Sequence, residues 1–263
     1  MPFIDVDGAR IHYRCDGPEE APVLVLSNSL GTDLAMWDAQ IPAFTQRFRV
    51  LRYDSRGHGQ SAVTPGPYTI ERLARDVLGL LDGLGLARIH FCGLSMGGMV
   101  GMWLGIHAPQ RVARLVLCNT AACIPPAELW NARIEAVHQG GMAAIAEAVI
   151  GRWFTPVFRA QAPAVVERVR RTLEATPAEG YVACCAAVRD MDQRAAVARI
   201  TAPTLVVAGT HDTATPPADG RFLAERIAGA RYLELEAAHL SNLEAETRFT
   251  EGVLTFLTEQ ESR

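Results

Sequence analysis

The stretch IHFCGLSMGGMVGMWLGIHAP, residues 89–109, places a G-x-S-x-G segment between two apolar runs of different length. The short run before it predicts a buried strand, and the longer run after it predicts a helix. In that context the segment predicts a nucleophile elbow, a sharp and strained turn that presents Ser95. Gly93 and Gly97 let neighbouring backbone approach without a Cβ clash. The alternative is a glycine-rich turn in which the serine only caps the helix.

Short apolar runs alternate with helical patterns along most of the chain. The apolar runs predict strands at 23–28, 50–54, 89–95, 115–120, 204–212 and 232–238. The helical patterns lie at 35–47, 69–85, 96–107, 218–228 and 243–258. This alternation predicts an α/β fold, in which a mostly parallel twisted sheet carries helices on both faces. The dipeptide Asp7-Gly8 between two alternating segments adds a hairpin near the N-terminus.

Residues 121–197 interrupt the alternation with several helical stretches and no convincing strand. These stretches are broken at Pro125-Pro126, Gly140-Gly141, Pro156, Pro163 and Pro177. An insertion of this length in a compact α/β domain is more often a functional lid than a plain connection. We therefore expect a core in two parts, 1–120 and 198–263, with a helical cap at 121–197.

All 25 basic residues are arginine, and 29 acidic residues bring the formal net charge to −4. Because there is no run of like charges, we expect neither nucleic acid nor a membrane surface as a partner. The lack of lysine excludes Schiff-base enzymes, the phosphate-loop lysine and Ser-Lys dyads. With 263 residues and 49% hydrophobic content, the chain predicts one large domain or one domain with an insertion.

The six cysteines show no C-x-x-C spacing, and adjacent Cys184 and Cys185 are poorly placed to form a disulfide. Charged residues near the N-terminus occupy the place where a signal peptide would be apolar. No segment offers enough uninterrupted apolar residues to span a membrane. We therefore expect a cytoplasmic protein with reduced thiols.

Two later segments supply the groups that a serine nucleophile needs. A serine hydroxyl is weakly nucleophilic unless a base takes its proton, and a carboxylate must hold that base in one tautomer. TLVVAGTHD ends a predicted strand with Asp212, and LELEAAHLSNLE ends the next one with His239. We expect both residues at the carboxyl edge of the sheet near Ser95, in the chain order Ser, Asp, His that α/β-hydrolases share. A loop histidine with satisfied partners is the alternative for His239.

An acyl-transfer site also needs two hydrogen-bond donors for the oxyanion. One is expected from the N–H of Met96, directly after the nucleophile. The second is assigned to the N–H of Leu30 in the loop SNSLG, residues 27–31, and neighbouring Ser29 stays open as an alternative.

The remaining histidines predict no further chemistry. His58 lies in a glycine turn where a structural role is favoured, and His211 is expected to point away from the site because side chains alternate along an extended strand end. No histidines stand at metal-ligand spacing, so no metal is assigned. Residues 57–62 match a dinucleotide fingerprint only superficially, since Pro65 follows where the phosphate-binding helix would begin. We expect no cofactor.

The segments SNSLG, YDSRGHGQS, GLSMGG, GTHD and AAHLSNLE together resemble the α/β-hydrolase superfamily across nearly the whole chain. SNSLGTDLAMWD, WNARI, RWFTP and GYVACCAAVRDMD further resemble the 3-oxoadipate enol-lactonases of bacterial aromatic catabolism. The lid motifs are the more specific ones, because the triad reports the reaction type whereas the lid reports the substrate. The resemblance implies an α/β-hydrolase fold and a triad of Ser95, Asp212 and His239.

The implied substrate is a small lactone that carries one free carboxylate, opened through an acyl-enzyme in protocatechuate or catechol breakdown. Under a lid that excludes water the carboxylate needs a charged partner, and without lysine this partner must be arginine. Trp130 and Arg133 lie at i, i+3 on one helix face and could offer an aromatic wall beside a guanidinium. The alternative is a solvated arginine and a tryptophan buried in the lid.

Other functions fit the same triad. A general carboxylesterase, a C–C bond hydrolase and a cofactor-free perhydrolase use it on different substrates, and the same fold also serves as a non-enzymatic ligand receptor. An intact triad argues against the receptor. The sequence leaves the oligomeric state open.

Overall fold

The computed structural model describes residues 2–259, which contain eight strands and eleven α-helices. The strands are β1 (Phe3–Val6), β2 (Ala9–Asp16), β3 (Val23–Ser27), β4 (Arg49–Tyr53), β5 (Ile89–Leu94), β6 (Val112–Cys118), β7 (Thr204–Gly209) and β8 (Arg231–Leu235). The helices are α1 (Ile41–Phe44), α2 (Ile70–Gly83), α3 (Met96–His107), α4 (Ala127–Gly140), α5 (Ala143–Trp153), α6 (Pro156–Gln161), α7 (Pro163–Ala175), α8 (Ala178–Arg189), α9 (Pro217–Arg226), α10 (Ser241–Glu244) and α11 (Glu246–Thr258).

All eight strands join one sheet, in the order β1-β2-β4-β3-β5-β6-β7-β8. The pairs β1–β2 and β2–β4 are antiparallel, and every other neighbouring pair is parallel. The central strands are almost entirely buried, β7 at all of its six positions, as expected where helices cover a parallel sheet. The predicted α/β fold with a mostly parallel sheet is confirmed.

The turn of the first hairpin lies at Asp7-Gly8, as the sequence predicts. Asp7 and Gly8 have φ of +44° and +75°, which is the backbone of a type I′ turn between twisted strands. Its flanking strands β1 and β2 pair from Phe3 opposite His12 to Val6 opposite Ala9.

The single helix predicted at 35–47 is wrong, because the structure has a short 3₁₀ turn at Leu34–Trp37 followed by α1. Trp37 is fully buried, and its Nε1 donates to Asn28 Oδ1 at 3.0 Å. Pro42 has no N–H to continue a preceding helix, so it lies in the first turn of a new one. The apolar spacing of this segment therefore reflects two short elements that pack separately.

The five helices α4–α8 occupy the chain between β6 and β7, and each begins at or shortly after an interruption predicted from proline or glycine. The limits 121–197 for a cap remain a prediction. The start of α8 lies against the loop after β4, since a Cβ at Gly57 would meet Gly180 Cα at 2.6 Å. Helix α8 and the loop after β4 therefore touch backbone to backbone here. Across residues 2–259, no helix combines the length and apolar character needed to cross a membrane.

Candidate active site

Ser95 occupies a strained turn between β5 and α3, with φ +57° and ψ −116°. Its N–H donates to the carbonyl of Cys118 at 2.9 Å, which ties the turn to the end of β6. A Cβ at Gly93 would meet Gly97 O at 2.1 Å, and a Cβ at Gly97 would meet Ser27 O at 2.2 Å. Backbone contacts on both sides of the serine therefore require the two glycines of the G-x-S-x-G segment.

Asp212 and His239 follow β7 and β8, and their side chains meet at the carboxyl edge of the sheet. The Nδ1 of His239 lies 2.8 Å from Asp212 Oδ2, and both side chains are buried. A Cβ at Gly209 would meet Ala238 O at 2.4 Å, so the loop that carries His239 passes directly over the end of β7. Because the carboxylate accepts, the proton of a neutral imidazole is assigned to Nδ1, and Nε2 is left as the acceptor.

The Asp212 carboxylate is surrounded by donors besides His239. Its Oδ1 accepts the N–H groups of Ala214 and Thr215 at 2.8 and 3.0 Å. Its Oδ2 accepts Thr215 Oγ1 at 2.8 Å and Asn119 Nδ2 at 3.0 Å. Burial acts to raise the pKa of Asp212, but the charge of His239 and these hydrogen bonds outweigh it and hold the pKa below its ordinary value. The carboxylate is therefore kept ionised beside the imidazole.

Asn119 is a site residue that the sequence reasoning missed. Ser241 Oγ donates to Asn119 Oδ1 at 2.5 Å, which turns the amide nitrogen toward Asp212 and toward the carbonyl of Ala238. Asn119 has φ +44°, a conformation that asparagine tolerates better than most residues. The signal was present in LVLCNT, because Asn119 directly follows a predicted strand at the same sheet edge as Ser95.

Ser95 and His239 line one cavity together with Arg133 of α4 and with Arg152 and Trp153 of α5. Its volume is about 40 Å³, which is room for little more than a water molecule. Within residues 2–259, Ser95 Oγ and His239 Nε2 form no hydrogen bond with a protein group. Both atoms are therefore available to a molecule that enters the cavity. Serine–base contacts are often loose before a substrate binds.

Hydrogen bonds in the loop after β3 distinguish the two candidates for the second oxyanion donor, Ser29 and Leu30. The N–H of Ser29 is directed to Met36 Sδ at 3.4 Å, and that of Gly31 donates to His58 Nε2 at 2.9 Å. Within the described chain the N–H of Leu30 has no protein acceptor, and Leu30 lines the cavity with Ser95. The geometry therefore favours Leu30 over Ser29. Met96 begins α3, so its N–H has no acceptor within that helix.

The comparisons with known proteins agree with this geometry. A family model described as alpha/beta hydrolase fold matches residues 22–246. This chain belongs to the α/β-hydrolase family. The 3-oxoadipate enol-lactonase 2 of Acinetobacter baylyi is 44% identical over 92% of this chain and 91% of its own length. The solved enol-lactonase of Burkholderia xenovorans LB400 is 50% identical, covers 98% of this chain and 100% of its own, and superposes with a TM-score of 0.97. A solved hydrolase from Pseudomonas aeruginosa PA01 is 54% identical with a TM-score of 0.96, and the match covers 98% of each chain.

His58 of this α/β-hydrolase supports the oxyanion loop from below. It is fully buried and accepts the N–H of Gly31 through Nε2, while Nδ1 faces the carbonyl of Arg56 at 3.4 Å. Burial lowers the pKa of His58 to about 4, so the ring is neutral at pH 7 and keeps a lone pair for Gly31. The residue next to the proposed donor Leu30 is therefore held by a side chain from another loop.

Trp130 and Arg133 lie together, but only Arg133 reaches the cavity of the hydrolase. The Arg133 guanidinium stacks on the Trp130 ring at 4.7 Å from its centroid. Trp130 is buried and donates from Nε1 to the carbonyl of Ile124 at 3.1 Å. The expected aromatic wall is thus not formed by Trp130, which lies behind Arg133 and supports it. Trp153, from the quoted segment RWFTP, provides an aromatic side chain of the cavity instead.

His211 points away from the cavity, as alternation along the strand end predicts. Its Nε2 forms a short hydrogen bond with the exposed carboxylate of Glu236. Among residues 2–259, no cluster of three or more histidine, cysteine, aspartate or glutamate side chains is placed to hold a metal ion.

Proposed function

We propose that this hydrolase opens the lactone ring of 3-oxoadipate enol-lactone, to give 3-oxoadipate, as a step in the breakdown of protocatechuate or catechol. The observation that carries the proposal is the cavity shared by Ser95, His239 and Arg133, in which Arg133 has no carboxylate within ion-pair distance in the described chain. A half-buried guanidinium without an acidic partner suits a substrate that brings its own carboxylate. The enol-lactonases that the chain resembles support the choice of lactone.

The reaction follows from the roles of the three side chains. His239 Nε2 takes the proton of Ser95 as Oγ attacks the ring carbonyl, and Asp212 stabilises the imidazolium that results. The N–H groups of Leu30 and Met96 bind the oxyanion of the tetrahedral intermediate. The ring C–O bond then breaks, and the enolate that departs takes the proton held on His239 Nε2, which gives the ketone of 3-oxoadipate after tautomerisation and leaves the imidazole neutral again.

Deacylation follows the same steps, with water as the nucleophile in place of the serine hydroxyl. His239 takes a proton from a water molecule that attacks the acyl carbon, and it returns this proton to Ser95 Oγ as the serine leaves. The acid formed at the acyl carbon then ionises and is released as the new carboxylate. Because an enolate is a better leaving group than an alkoxide, base catalysis in the two attack steps matters more than acid help to the leaving group.

The lactone must displace cap side chains before it can bind, since the cavity is far smaller than the substrate. Arg133 on α4 and Arg152 on α5 lie at the cap wall, so the opening we propose is a shift of these helices against the core. We further propose that the protein is located in the cytoplasm, because its six cysteines show no C-x-x-C spacing and no pairing pattern typical of an oxidising compartment.

A substrate panel tests the proposed function. We expect the enol-lactone made from muconolactone to be hydrolysed with kcat/KM orders of magnitude above p-nitrophenyl esters and a vinylogous diketone, and Ser95→Ala to abolish every activity. A preference for the esters would indicate a general carboxylesterase, and one for the diketone a C–C bond hydrolase. A single stoichiometric turnover would indicate a ligand receptor.

A companion variant tests the role of Arg133. Arg133→Gln should raise KM for the lactone by about tenfold or more, because a charge-assisted hydrogen bond is lost. KM for an uncharged ester should stay within about twofold. Equal effects on both substrates would remove Arg133 from substrate recognition.

A further inference from the structure

The carboxylate of Glu244 joins the loop that carries His239 to the connection between α5 and α6. Glu244 is the last residue of α10 and is half-buried. Its Oε2 accepts the N–H of Ala238 at 2.9 Å, and Ala238 directly precedes His239. Both carboxylate oxygens accept the N–H of Thr155 at 3.3 Å, and the hydroxyl of Thr155 donates a short hydrogen bond to Oε1. One side chain therefore binds two segments that are far apart in the chain.

The connection between the two helices, from Trp153 to Thr155, touches the His239 loop at a second point. The carbonyl of Trp153 accepts the N–H of Leu240 at 3.1 Å, and Leu240 directly follows His239. Trp153 also lines the active-site cavity. The contacts made through Glu244 and Leu240 thus hold the backbone on both sides of the histidine against this connection, which we call the α5–α6 segment.

The partners of the Glu244 carboxylate indicate that it serves to hold backbone in place. Within residues 2–259 it has no arginine or histidine within ion-pair distance, and its donors are two backbone N–H groups and one hydroxyl. Hydrogen bonds to an ionised acceptor are about twice as strong as those between neutral groups. Glu244 lines a second cavity of about 530 Å³. From there it acts on the reaction through the backbone that it holds.

The position of His239 decides whether it can serve as a base. Catalytic side chains must be held within about 0.5 Å of their productive geometry, and a displacement of about 1 Å can cost about a hundredfold in rate. Asp212 and Asn119 hold the imidazole and its loop from the side of the sheet. Glu244 holds the loop from the side of α5. The distance from His239 to Ser95 therefore depends on both sides.

We propose that Glu244 is a positioning residue for His239, which keeps the imidazole in place for base catalysis by tying its loop to the α5–α6 segment. A shift of α5 that opens the cavity strains the same hydrogen bonds, so base catalysis is efficient only when α5 lies in the position described above. The inference rests on the proposed function for the use of His239 as the base, and it is independent of which lactone or ester is the substrate.

Phosphonylation of Ser95 by a p-nitrophenyl alkylphosphonate tests this without a lactone. Ser95 Oγ attacks phosphorus, p-nitrophenolate leaves and His239 takes the serine proton, so the release of p-nitrophenolate reports on the base. The rate constant at saturating phosphonate (kinact) and the half-saturating concentration (KI) are measured for the wild type, Glu244→Ala and Glu244→Gln. Glu246→Ala is the matched control, because Glu246 is an exposed carboxylate at the start of α11, two residues further along the chain.

Glu244→Ala should lower kinact about tenfold and change KI by less than about twofold, because the variant displaces the base by a fraction of an ångström and leaves the cavity wall intact. In Glu244→Gln the amide oxygen can accept the N–H of Ala238, and the amide nitrogen can donate to the hydroxyl of Thr155. This conservative variant should therefore keep kinact within about threefold of the wild type. Glu246→Ala should match the wild type.

A double-mutant cycle with Thr155 tests the link to the α5–α6 segment. Thr155→Val removes the hydroxyl and should lower kinact about threefold, whereas Thr155→Ser keeps the hydroxyl and should leave kinact unchanged. If Glu244 acts through Thr155, adding Thr155→Val to Glu244→Ala should lower kinact by less than about twofold further. The comparison of Thr155→Val with Thr155→Ser also decides the question if Glu244→Ala fails to fold.

Three results would overturn the inference: an unchanged kinact in folded Glu244→Ala, a rise in KI alone, or effects that multiply in the double variant. The first two would make Glu244 a support of the helices that takes no part in placing the base. His239→Gln in the same assay separates this inference from the proposed function. If that variant kept the wild-type kinact, His239 would not be the base, and the proposed mechanism itself would be wrong.

Discussion

Replacing Asp212 with asparagine tests the geometry around His239, because the structure determines which way the new amide must point. The N–H groups of Ala214 and Thr215 both donate to Oδ1, and a backbone N–H cannot accept. Asn119 Nδ2 and Thr215 Oγ1 donate to Oδ2, but a hydroxyl can turn and accept instead, so one fixed donor at Oδ2 opposes two at Oδ1. We therefore expect the amide oxygen of the variant in the place of Oδ1. Its nitrogen then takes the place of Oδ2, where it faces His239 Nδ1 at the distance of a hydrogen bond.

The inverted contact changes the tautomer of the imidazole. An amide N–H donates to Nδ1, so a neutral His239 must carry its proton on Nε2, the atom that faces the cavity with Ser95. In that form it cannot take the proton of the serine hydroxyl. Loss of the correct tautomer in a serine triad costs about 10⁴-fold in kcat, or about 5.5 kcal/mol of transition-state stabilisation.

The assay is steady-state hydrolysis of the preferred substrate of the panel at pH 7, with the melting temperature as the test of folding. Asp82→Asn makes the same chemical change on an exposed carboxylate that pairs with Arg111, and it should keep wild-type activity. If folded Asp212→Asn protein retained more than about one tenth of the wild-type kcat, the assigned tautomer and the role of Asp212 would both be wrong.

Two further variants test the backbone of the elbow and the buried histidine beneath the oxyanion loop. Gly97→Ala should lower the free energy of unfolding by about 3 kcal/mol or more, since the new Cβ meets Ser27 O at 2.2 Å. Gly151→Ala, in helix α5 with nothing within 4 Å, should instead raise it by about 1 kcal/mol, and chemical denaturation that ranked the two alike would contradict this. The pKa of buried His58 is lowered to about 4 from 6.5, so the unfolded chain binds a proton that the folded one does not, and stability falls as pH drops through this range. Between pH 7 and pH 5 the protonation of His58 in the unfolded chain should lower the free energy of unfolding by about 2 kcal/mol. In His58→Gln, whose side-chain oxygen can still accept from Gly31, the loss over this pH range should be smaller by that amount. If the free energy of unfolding depended on pH identically in both proteins, His58 would not be the group responsible.

Local sequence patterns were sufficient for much of the fold and for placing the candidate catalytic side chains at one edge of the sheet. Each core strand is a short apolar run, and parallel strands must end at a common sheet edge, so residues that directly follow such runs gather there. Ser95 was predicted from the G-x-S-x-G turn, and this rule then placed Asp212 and His239 at the same edge. Asn119 obeys it too, and it was missed only because an asparagine after a strand carries no chemistry of its own.

Long-range contacts explain what local patterns could not predict. The segment 35–47 has the apolar spacing of one helix, but Trp37 is buried in the core, where its Nε1 donates to Asn28 on another loop. Similarly, Trp130 and Arg133 share a helix face, yet packing buries the ring and leaves only the guanidinium at the cavity. Arg152 reaches the same cavity from a different helix, and its position depends on how the cap helices pack, which periodicity does not report.

The most direct test of the account is mass spectrometry of the protein after reaction with a p-nitrophenyl alkylphosphonate, which phosphonylates an activated serine. The predicted result is one adduct per chain on the peptide that contains Ser95, none in Ser95→Ala, and labelling at least a hundredfold slower in His239→Gln, where the base is lost (roughly the contribution of a general base). An adduct on another residue, or labelling of Ser95 at an undiminished rate in His239→Gln, would show that the imidazole does not activate this hydroxyl.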